Sequence, residues 1–426
     1  MTELHQLSAS VAAKKIQANE LKSEDLIRSC IERIREREPI TQAWVETNFD
    51  AAIERARYLD RSANLGPLHG IPFGAKDLFD THDFPTRLGS PIYENNRPSS
   101  DAVHIALMRQ AGGVLLGKTV TTEFATFKGG KTTNPHNPEY TPGGSSSGSA
   151  AAVADDMIPL ATGSQTAGSV IRPAAFCGVV GYKPTYGKVS LGGVKSLSPS
   201  LDTLGSFSRT VADAALCVAA MSGDHQLATI HKMKHKPRIA TCLTYDGELA
   251  STETITAIHH AALLAEDVFK TQVPAIELPT IFKDMSALQG RIMWSESARS
   301  FSFEQNNHSE HLSQQLKGLI KLGSAITYEQ YSNDLIIAEK ARALIDQLLT
   351  GSWDILIAPS AIGEPTKGLT QTGDPIFCRV WTLMGLPCIT LPLYKGPNHL
   401  PVGVQLVAAR GRDALLLSVA DALMSA

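Results

Sequence analysis

Short, mainly apolar runs alternate with longer stretches of helical periodicity along most of this 426-residue chain, and this alternation limits the fold more than any other feature. Such runs are typical of strands buried on both faces, because half-exposed strands alternate apolar and polar residues. We place strands at Gly113–Leu116, Arg238–Leu243, Ile355–Ala358, Cys388–Leu393 and Val402–Val407. The pattern predicts an α/β protein whose sheet is covered by helices on both faces.

The N-terminal region, residues 1–62, is predicted to form helices that pack on the rest of the chain. Ser23 is a candidate N-cap for one of these helices, and Pro39 is expected to end it. Farther along, Pro72 argues against a regular central strand. Residues 66–76 are therefore predicted to form short extended pieces that lead into a buried loop.

Charge and cysteine content exclude several classes of protein. The formal net charge is −3, which argues against direct binding of nucleic acid or of an anionic membrane. The chain starts with polar residues and has no apolar stretch of membrane-spanning length, so we expect neither a secretory signal nor a membrane anchor. The six cysteines are scattered, as in reduced cytoplasmic proteins, and predict neither disulfides nor a zinc site.

Two short motifs match catalytic patterns but stand in the wrong context. The block Gly112–Thr119 satisfies the phosphate-binding pattern GxxxxGK[ST], yet the predicted strand lies inside it, where its N–H groups are used by the sheet. Lys118 is therefore interpreted as structural. The block Gly144–Gly148 satisfies GxSxG around Ser146, but the proline-rich residues before it cannot form the strand that a nucleophile elbow requires.

Three separated blocks of glycine and small residues carry the strongest signal. They are Gly70-Ile-Pro-Phe-Gly-Ala-Lys76-Asp77, Pro142-Gly-Gly-Ser145-Ser-Ser-Gly-Ser-Ala-Ala and Gly163-Ser-Gln-Thr-Ala-Gly-Ser169-Val-Ile-Arg172. Together they resemble the amidase signature family, and other stretches agree with it over nearly the whole chain. The resemblance implies one amidase domain, 1–426, built on a single mixed sheet. Residues 66–210 would form the catalytic region, and 211–426 the rest of the sheet and the substrate pocket.

The resemblance also implies a catalytic triad of Lys76, Ser145 and Ser169, without metal or cofactor. In the family the lysine is the base, the middle serine relays the proton and the last serine is the nucleophile that forms an acyl-enzyme. Amide cleavage needs such an activated nucleophile, and lysine can be the base where burial lowers its pKa. A cis peptide bond precedes the relay serine in the family, which would here be the Gly144–Ser145 bond.

An oxyanion hole is predicted in the segment that ends at the nucleophile. Its backbone N–H groups, those of Thr166, Ala167, Gly168 and Ser169, can bind a developing negative charge if they turn into one concavity. Ala167 stands where the family usually has glycine. A methyl group at this position is compatible with the prediction because the donors are backbone groups.

Gly143, Gly144, Gln165 and Arg172 are the candidate substrate-binding residues. Most family members carry an aspartate at the position of Gln165, and an aspartate there can pair with Arg172. With a neutral glutamine, a buried Arg172 is expected to lack an internal partner and to bind an external anion. Malonamidase-like members share this glutamine, so the expected substrate is a small amide that bears a carboxylate. The alternative is a structural Arg172 that donates to backbone carbonyls.

Two other functions stay open at this stage. One is the glutamine-hydrolysing A subunit of a tRNA-dependent amidotransferase, although such subunits are usually longer and no basic docking face is evident here. The other is a catalytically dead scaffold, which the complete triad disfavours. The expected partner is a small-molecule amide, without direct contact to nucleic acid or membrane. A homodimer or a small accessory subunit is also left open.

Overall fold

The computed structural model describes residues 3–63 and 66–426, and these residues form fourteen α-helices and a ten-stranded sheet. The strands are β1 Trp44–Thr47, β2 Pro72–Lys76, β3 Val114–Thr119, β4 Leu160–Gln165, β5 Val180–Lys183, β6 Thr203–Ser208, β7 Ile239–Thr241, β8 Ile355–Pro359, β9 Cys388–Lys395 and β10 Pro401–Val407. The helices are α1 Ala9–Gln17, α2 Ser23–Thr41, α3 Phe49–Leu59, α4 Val103–Gln110, α5 Ser147–Ala154, α6 Ile171–Cys177, α7 Val211–Ser222, α8 Thr252–Phe269, α9 Met285–Ser300, α10 Ser302–Asn307, α11 Gln314–Ser324, α12 Tyr328–Gly351, α13 Ile376–Leu383 and α14 Asp413–Met424.

The strands form one mixed sheet in the order β1-β3-β2-β4-β6-β5-β9-β10-β8-β7. Strand β2 runs parallel to both of its neighbours, β3 and β4, and β7 runs parallel to β8. All other pairs, including β4 with β6 and β5 with β9, are antiparallel. Because β2 and β4 are parallel, their carboxyl ends lie at the same edge of the sheet.

Alternate residues of a single strand show that both faces of the sheet are covered. In β8, Ile355 and Ile357 belong to one buried apolar cluster, whereas Leu356 and Ala358 belong to a second cluster on the opposite face. Successive side chains of a strand point to opposite faces. The predicted α/β architecture, with helices on both faces of a single mixed sheet, is confirmed.

Three local predictions were wrong. Pro72 begins a central strand, β2, because the first residue of a strand is a position where proline is tolerated. Ser23 is the first residue of α2 and donates its hydroxyl to Gly70 O, while Asp60 accepts the N–H groups at this helix start. Pro39 lies inside the last turn of α2, which runs on to Thr41.

Within the described ranges, no helix has both the length and the apolar character needed to span a bilayer.

Candidate active site

Lys76 is the last residue of β2 and is completely buried. Its Nζ lies 2.8 Å from Ser145 Oγ and 2.8 Å from Ser164 Oγ. Ser164 belongs to β4, so the parallel pairing of β2 and β4 brings the amine and this hydroxyl together at the carboxyl ends of two neighbouring strands. The geometry thus joins the predicted base to the predicted relay serine and adds a second hydroxyl.

Burial lowers the pKa of the Lys76 amine to about 7, and the more distant carboxylate of Asp202 opposes this shift. A buried ammonium loses its hydration, and here no carboxylate lies within ion-pair distance of it among the described residues. A substantial fraction of the amine is therefore neutral near pH 7. A neutral amine has a lone pair and can accept a proton from a hydroxyl group.

The loop before α5 presents Ser145 to the lysine. Gly143 has a φ of +80°, a conformation that favours glycine, and the Gly144–Ser145 peptide bond is cis, as the family resemblance implied. Ser145 itself is 1% exposed. The carbonyl oxygen of Gly144 accepts a hydrogen bond of 2.7 Å from Arg172 Nη2, so the loop is attached to helix α6.

Ser169 lies two residues before α6 and is partly exposed, unlike Lys76 and Ser145. Within the described residues, its hydroxyl makes no hydrogen bond to Ser145. The greater exposure of Ser169 fits its predicted role, because a nucleophile must reach the substrate. The burial of Lys76 fits the role of a base, because exclusion of water keeps its amine neutral. Of the two hydrogen bonds that the predicted triad requires, the one from Lys76 to Ser145 is present, and the one between Ser145 and Ser169 is absent among the described residues.

The segment 166–168 runs between the end of β4 and Ser169. Thr166 Oγ1 donates to the buried carboxylate of Asp202. Ala167 is buried in the second apolar cluster and is not among the described residues with positive φ, so its methyl group is accommodated. A Cβ at Gly168 would lie 2.8 Å from both Arg172 Nη1 and Pro375 Cβ, so the absence of a side chain is required there. The backbone N–H groups of residues 166–169 make no hydrogen bond to another group of the described chain.

Gln165 ends β4 and faces the start of α6. Its Oε1 accepts hydrogen bonds from the backbone N–H groups of Val170 (2.9 Å) and Ile171 (3.0 Å), and its Nε2 donates to Thr382 Oγ1. Both ends of the amide are therefore engaged away from Arg172. In the structure Gln165 satisfies helix N–H groups, which an aspartate could also do, and it donates a proton, which an ionised aspartate could not.

Arg172 is 1% exposed and has three hydrogen bonds to uncharged oxygens. Nε donates to Thr372 O, and Nη2 donates to Gly144 O and Thr372 Oγ1. Nη1 is buried without a hydrogen-bond partner, and no carboxylate of the described residues forms an ion pair with this guanidinium. Burial lowers its pKa to about 10, well above neutrality, so the group stays charged.

Two residues of the site were missed by sequence reasoning. Ser164, the second contact of Lys76, follows Gly163 in a block already singled out, and its signal is only its place at the end of a strand beside β2. Asp202 accepts hydrogen bonds from Thr166, Ser196, Leu197 and Ser198 and is the charge that opposes the pKa shift of Lys76. Its signal in the sequence is its place in the stretch Ser200-Leu-Asp-Thr-Leu-Gly205, which agrees with the family but by itself indicates no role for Asp202.

The two motifs set aside from the sequence are structural. Strand β3 runs through the GxxxxGK[ST] block, and Lys118 Nζ donates to Phe79 O and Thr86 Oγ1 and pairs with Asp77 at 3.1 Å. The residues directly before Ser146 form no strand of the sheet.

One group of side chains in the described chain is close enough to share a metal ion: His82, Asp83 and Asp101 at the surface. Arg109 already pairs with both aspartates. None of the site residues belongs to this group.

Comparison with known proteins places these features in a family. A model of the Amidase family matches residues 25–417. The A subunit of glutamyl-tRNA(Gln) amidotransferase from Endomicrobium trichonymphae is 30% identical over 472 aligned positions, covering 99% of this chain and 97% of that protein.

Two solved structures are similar over nearly their whole length. One, described as an amidase, superposes with a TM-score of 0.88 at 28% identity and covers 98% of this chain and 99% of the other. The second is described as a vestigial protein complex that reveals the origins of an s-triazine catabolic enzyme; its TM-score is 0.89 at 25% identity, with 98% of both chains covered. The chain therefore belongs to the amidase family.

Proposed function

We propose that this protein is a serine amidohydrolase that cleaves the carboxamide bond of a small, carboxylate-bearing amide through an acyl-enzyme. The observation that carries the proposal is the buried contact of 2.8 Å between Lys76 Nζ and Ser145 Oγ, together with a lysine pKa of about 7. A neutral amine held against a serine hydroxyl is the arrangement needed to activate a hydroxyl nucleophile without histidine.

In the proposed mechanism, Lys76 accepts the proton of Ser145 while Ser145 accepts the proton of Ser169. Ser169 Oγ then bonds to the amide carbon, and the N–H groups of the preceding segment bind the oxygen that becomes negative. The proton returns through Ser145 to the leaving nitrogen as the C–N bond breaks, which leaves an ester on Ser169. Water, activated by the same relay, hydrolyses this ester and releases the carboxylic acid.

Arg172 supports the choice of a carboxylate-bearing substrate. Its Nη1 is charged, buried and without a partner, and it lies beside Gly168, directly before the proposed nucleophile. A buried cation that has only neutral partners is unfavourable, so a bound anion would stabilise it. Gly143 and Gly144, predicted from the sequence to bind substrate, are glycines for reasons of packing: a Cβ on Gly143 would lie 2.8 Å from Pro173 Cα, and one on Gly144 would lie 2.7 Å from Thr372 Cγ2. Arg172 also donates to backbone carbonyls, so the structural role considered from the sequence and the substrate role are compatible.

A second candidate, the glutamine-hydrolysing subunit of an amidotransferase, is favoured by the sequence relatives. Glutamine is itself a carboxamide that bears a carboxylate, so the same triad and Arg172 would serve it. The alignment with the amidotransferase subunit spans 472 positions against 426 residues here, so that subunit has segments that this chain lacks. The two functions differ in whether the isolated chain is active.

The test is ammonia release by the purified protein from a panel of amides. The panel contains malonamate-like and carboxylated urea-type amides, glutamine, and neutral aliphatic amides of the same size. Turnover of the small carboxylated amides by the isolated chain supports the first proposal. Turnover of glutamine alone, and only after addition of a partner subunit, supports the second. Preference for neutral amides would contradict both.

A further inference from the structure

The three carbonyl groups that precede the proposed nucleophile are each held by a donor. Gln289 Nε2 donates to Thr166 O at 2.9 Å, Thr382 Oγ1 donates to Ala167 O at 2.8 Å, and the backbone N–H of Arg172 donates to Gly168 O at 2.9 Å. The first two donors come from α9 and α13, far away in sequence. Both side chains are buried, with 0% and 1% exposure.

Peptide geometry converts these contacts into an orientation of the N–H groups. In a trans peptide plane the C=O and the following N–H point in opposite directions, and the one cis bond among the described residues lies elsewhere, at Gly144–Ser145. Fixing the carbonyls of Thr166, Ala167 and Gly168 therefore turns the N–H groups of Ala167, Gly168 and Ser169 away from these donors. Those are three of the four groups proposed to bind the oxyanion; the fourth is the N–H group of Thr166.

The direction of each side-chain bond is fixed by a further partner. Arg379 Nη1 donates to Gln289 Oε1 at 2.8 Å, which leaves the NH₂ end of Gln289 for Thr166 O. Gln165 Oε1 accepts two backbone N–H groups, so Gln165 Nε2 must be the end that donates to Thr382. A threonine hydroxyl has a single proton, and with a donor already facing its oxygen that proton points to Ala167 O.

We propose that Gln289 and Thr382 are positioning residues, whose hydrogen bonds to the carbonyl groups of Thr166 and Ala167 orient the N–H groups of the oxyanion hole. Gln165 and Arg379 fix the direction of these two hydrogen bonds. The inference rests on the proposed function, because it assumes that Ser169 is the nucleophile and that the N–H groups beside it bind the oxyanion. Preorganised donors are effective because they do not have to reorient when charge develops. Loss of the hydrogen bond from either Gln289 or Thr382 would let the corresponding peptide plane rotate. This would slow the chemical step without weakening ground-state binding.

The experiment uses Thr382→Val, which keeps the shape of the side chain and removes the hydroxyl, and Thr382→Ser, which restores the hydroxyl. The matched control is Thr254→Val, because Thr254 is equally buried and its Oγ1 donates to Ile362 O at 2.9 Å outside the site. The probe is a fluorophosphonate, since its reaction requires no knowledge of the substrate. Ser169 Oγ bonds to phosphorus, fluoride leaves, the hydroxyl proton passes to the relay, and the P=O oxygen takes the place of the oxyanion.

For Thr382→Val we expect the limiting labelling rate, kinact, to fall roughly 10- to 100-fold, while KI changes by less than about 3-fold. Thr382→Ser should recover most of the rate, and Thr254→Val should label like the unaltered protein. The apparent pKa of labelling should be the same in all of them, because Lys76 is untouched. Thermal unfolding of each variant shows that the loss occurs in folded protein.

Gln289→Leu provides an independent variant in which the other carbonyl is released, and we expect the same fall in kinact. An unchanged kinact in folded Thr382→Val and Gln289→Leu, or a change confined to KI, would overturn the inference. Failure of the proposed function has a different result: in that case the unaltered protein is not labelled at Ser169, or Ser169→Ala still releases ammonia.

Discussion

Arg172 Nη2 donates to the carbonyl oxygen of Gly144 across 2.7 Å, and this bond attaches helix α6 to the loop that carries Ser145. The same guanidinium uses Nε on Thr372 O and keeps Nη1 without a partner beside Gly168. One side chain thus contacts both the relay loop and the segment of the proposed oxyanion hole. Attachment of the Ser145 loop and the proposed binding of a substrate carboxylate can be separated experimentally by the charge of the substrate.

For Arg172→Met we expect kcat/KM for carboxylate-bearing amides to fall by roughly 10²- to 10³-fold, because a buried charge-assisted contact is lost. Neutral amides of the same size should lose no more than about 10-fold, the part due to the Gly144 contact. The measurement is the ratio of the two kcat/KM values for folded protein. Equal losses on charged and neutral amides would show that Arg172 is only structural.

The triad should act as a unit. We expect Ser169→Ala to lower turnover by at least about 10⁴-fold, with Lys76→Ala nearly as severe and Ser145→Ala lower by roughly 10²- to 10⁴-fold. Ser146→Ala is the matched control, because Ser146 is a neighbouring buried serine whose hydroxyl, among the described residues, hydrogen-bonds only to the backbone of Ser164. A larger loss for Ser146→Ala than for Ser145→Ala would refute the relay assignment.

The pH dependence of kcat/KM should follow Lys76. The base must be neutral, and its pKa of about 7 in the folded protein means that activity rises as the pH increases from about 5 to 8. An unperturbed lysine, with a pKa near 10.5, would place this rise above pH 9. A pH–rate profile on any active substrate measures the pH at which kcat/KM rises. A rise near pH 10 would mean that Lys76 is charged at neutrality and is not the base.

The same shift makes stability depend on pH. Lys76 binds its proton more weakly in the folded protein than in the unfolded chain, where its pKa is 10.5. The contribution of Lys76 to the free energy of unfolding therefore rises between pH 7 and about 10.5. Lys76→Met removes this contribution. We expect the variant to be stabilised by a few kcal/mol at pH 7, and by less at pH 9.5, relative to the unaltered protein. Urea unfolding at the two pH values measures the difference, and a gain that does not shrink with pH contradicts the assignment.

Gly168→Ala should abolish most activity. The added Cβ would approach both Arg172 Nη1 and Pro375 Cβ to 2.8 Å, so the segment beside Ser169 must shift. A displacement of about 1 Å at a reacting centre is enough for a loss of roughly 10²-fold. Gly318→Ala is the control, because a Cβ on Gly318 in α11 meets nothing within 4 Å. Acylation by a fluorophosphonate compares the two variants, and equal rates would show that Gly168 has room to spare.

The resemblance of three separated blocks to the amidase family implied the contact between Lys76 and Ser145. No periodicity in the sequence relates these blocks to one another. The alternation of apolar runs likewise predicted the sheet and its two covered faces. The partners of those residues could not be predicted. Ser164 faces Lys76 only because β2 and β4 are parallel neighbours, and Gln289 and Thr382 come from helices more than 100 residues farther along the chain.

The hydrogen-bond partners of Gln165 likewise could not be predicted from the sequence. The sequence suggested that its neutral amide matters for Arg172, and Arg172 indeed has no ion pair within the described residues. The structure turns Gln165 toward the start of α6 and toward Thr382 instead. Which way a buried amide points depends on the neighbours that tertiary packing supplies, and sequence spacing does not contain that information.

The strand order has a consequence for biosynthesis. Strands β1 to β6 come from residues 44–208 and occupy one half of the sheet, and the later strands β7 to β10 occupy the other half, with β5 and β9 as the junction. A nascent chain that has left the ribosome only to about residue 380 therefore presents β5 as an open edge with unpaired N–H and C=O groups. Open edges recruit other strands. Truncated or stalled chains of this protein should thus be prone to aggregate, and closure of the sheet by β9 ends that exposure.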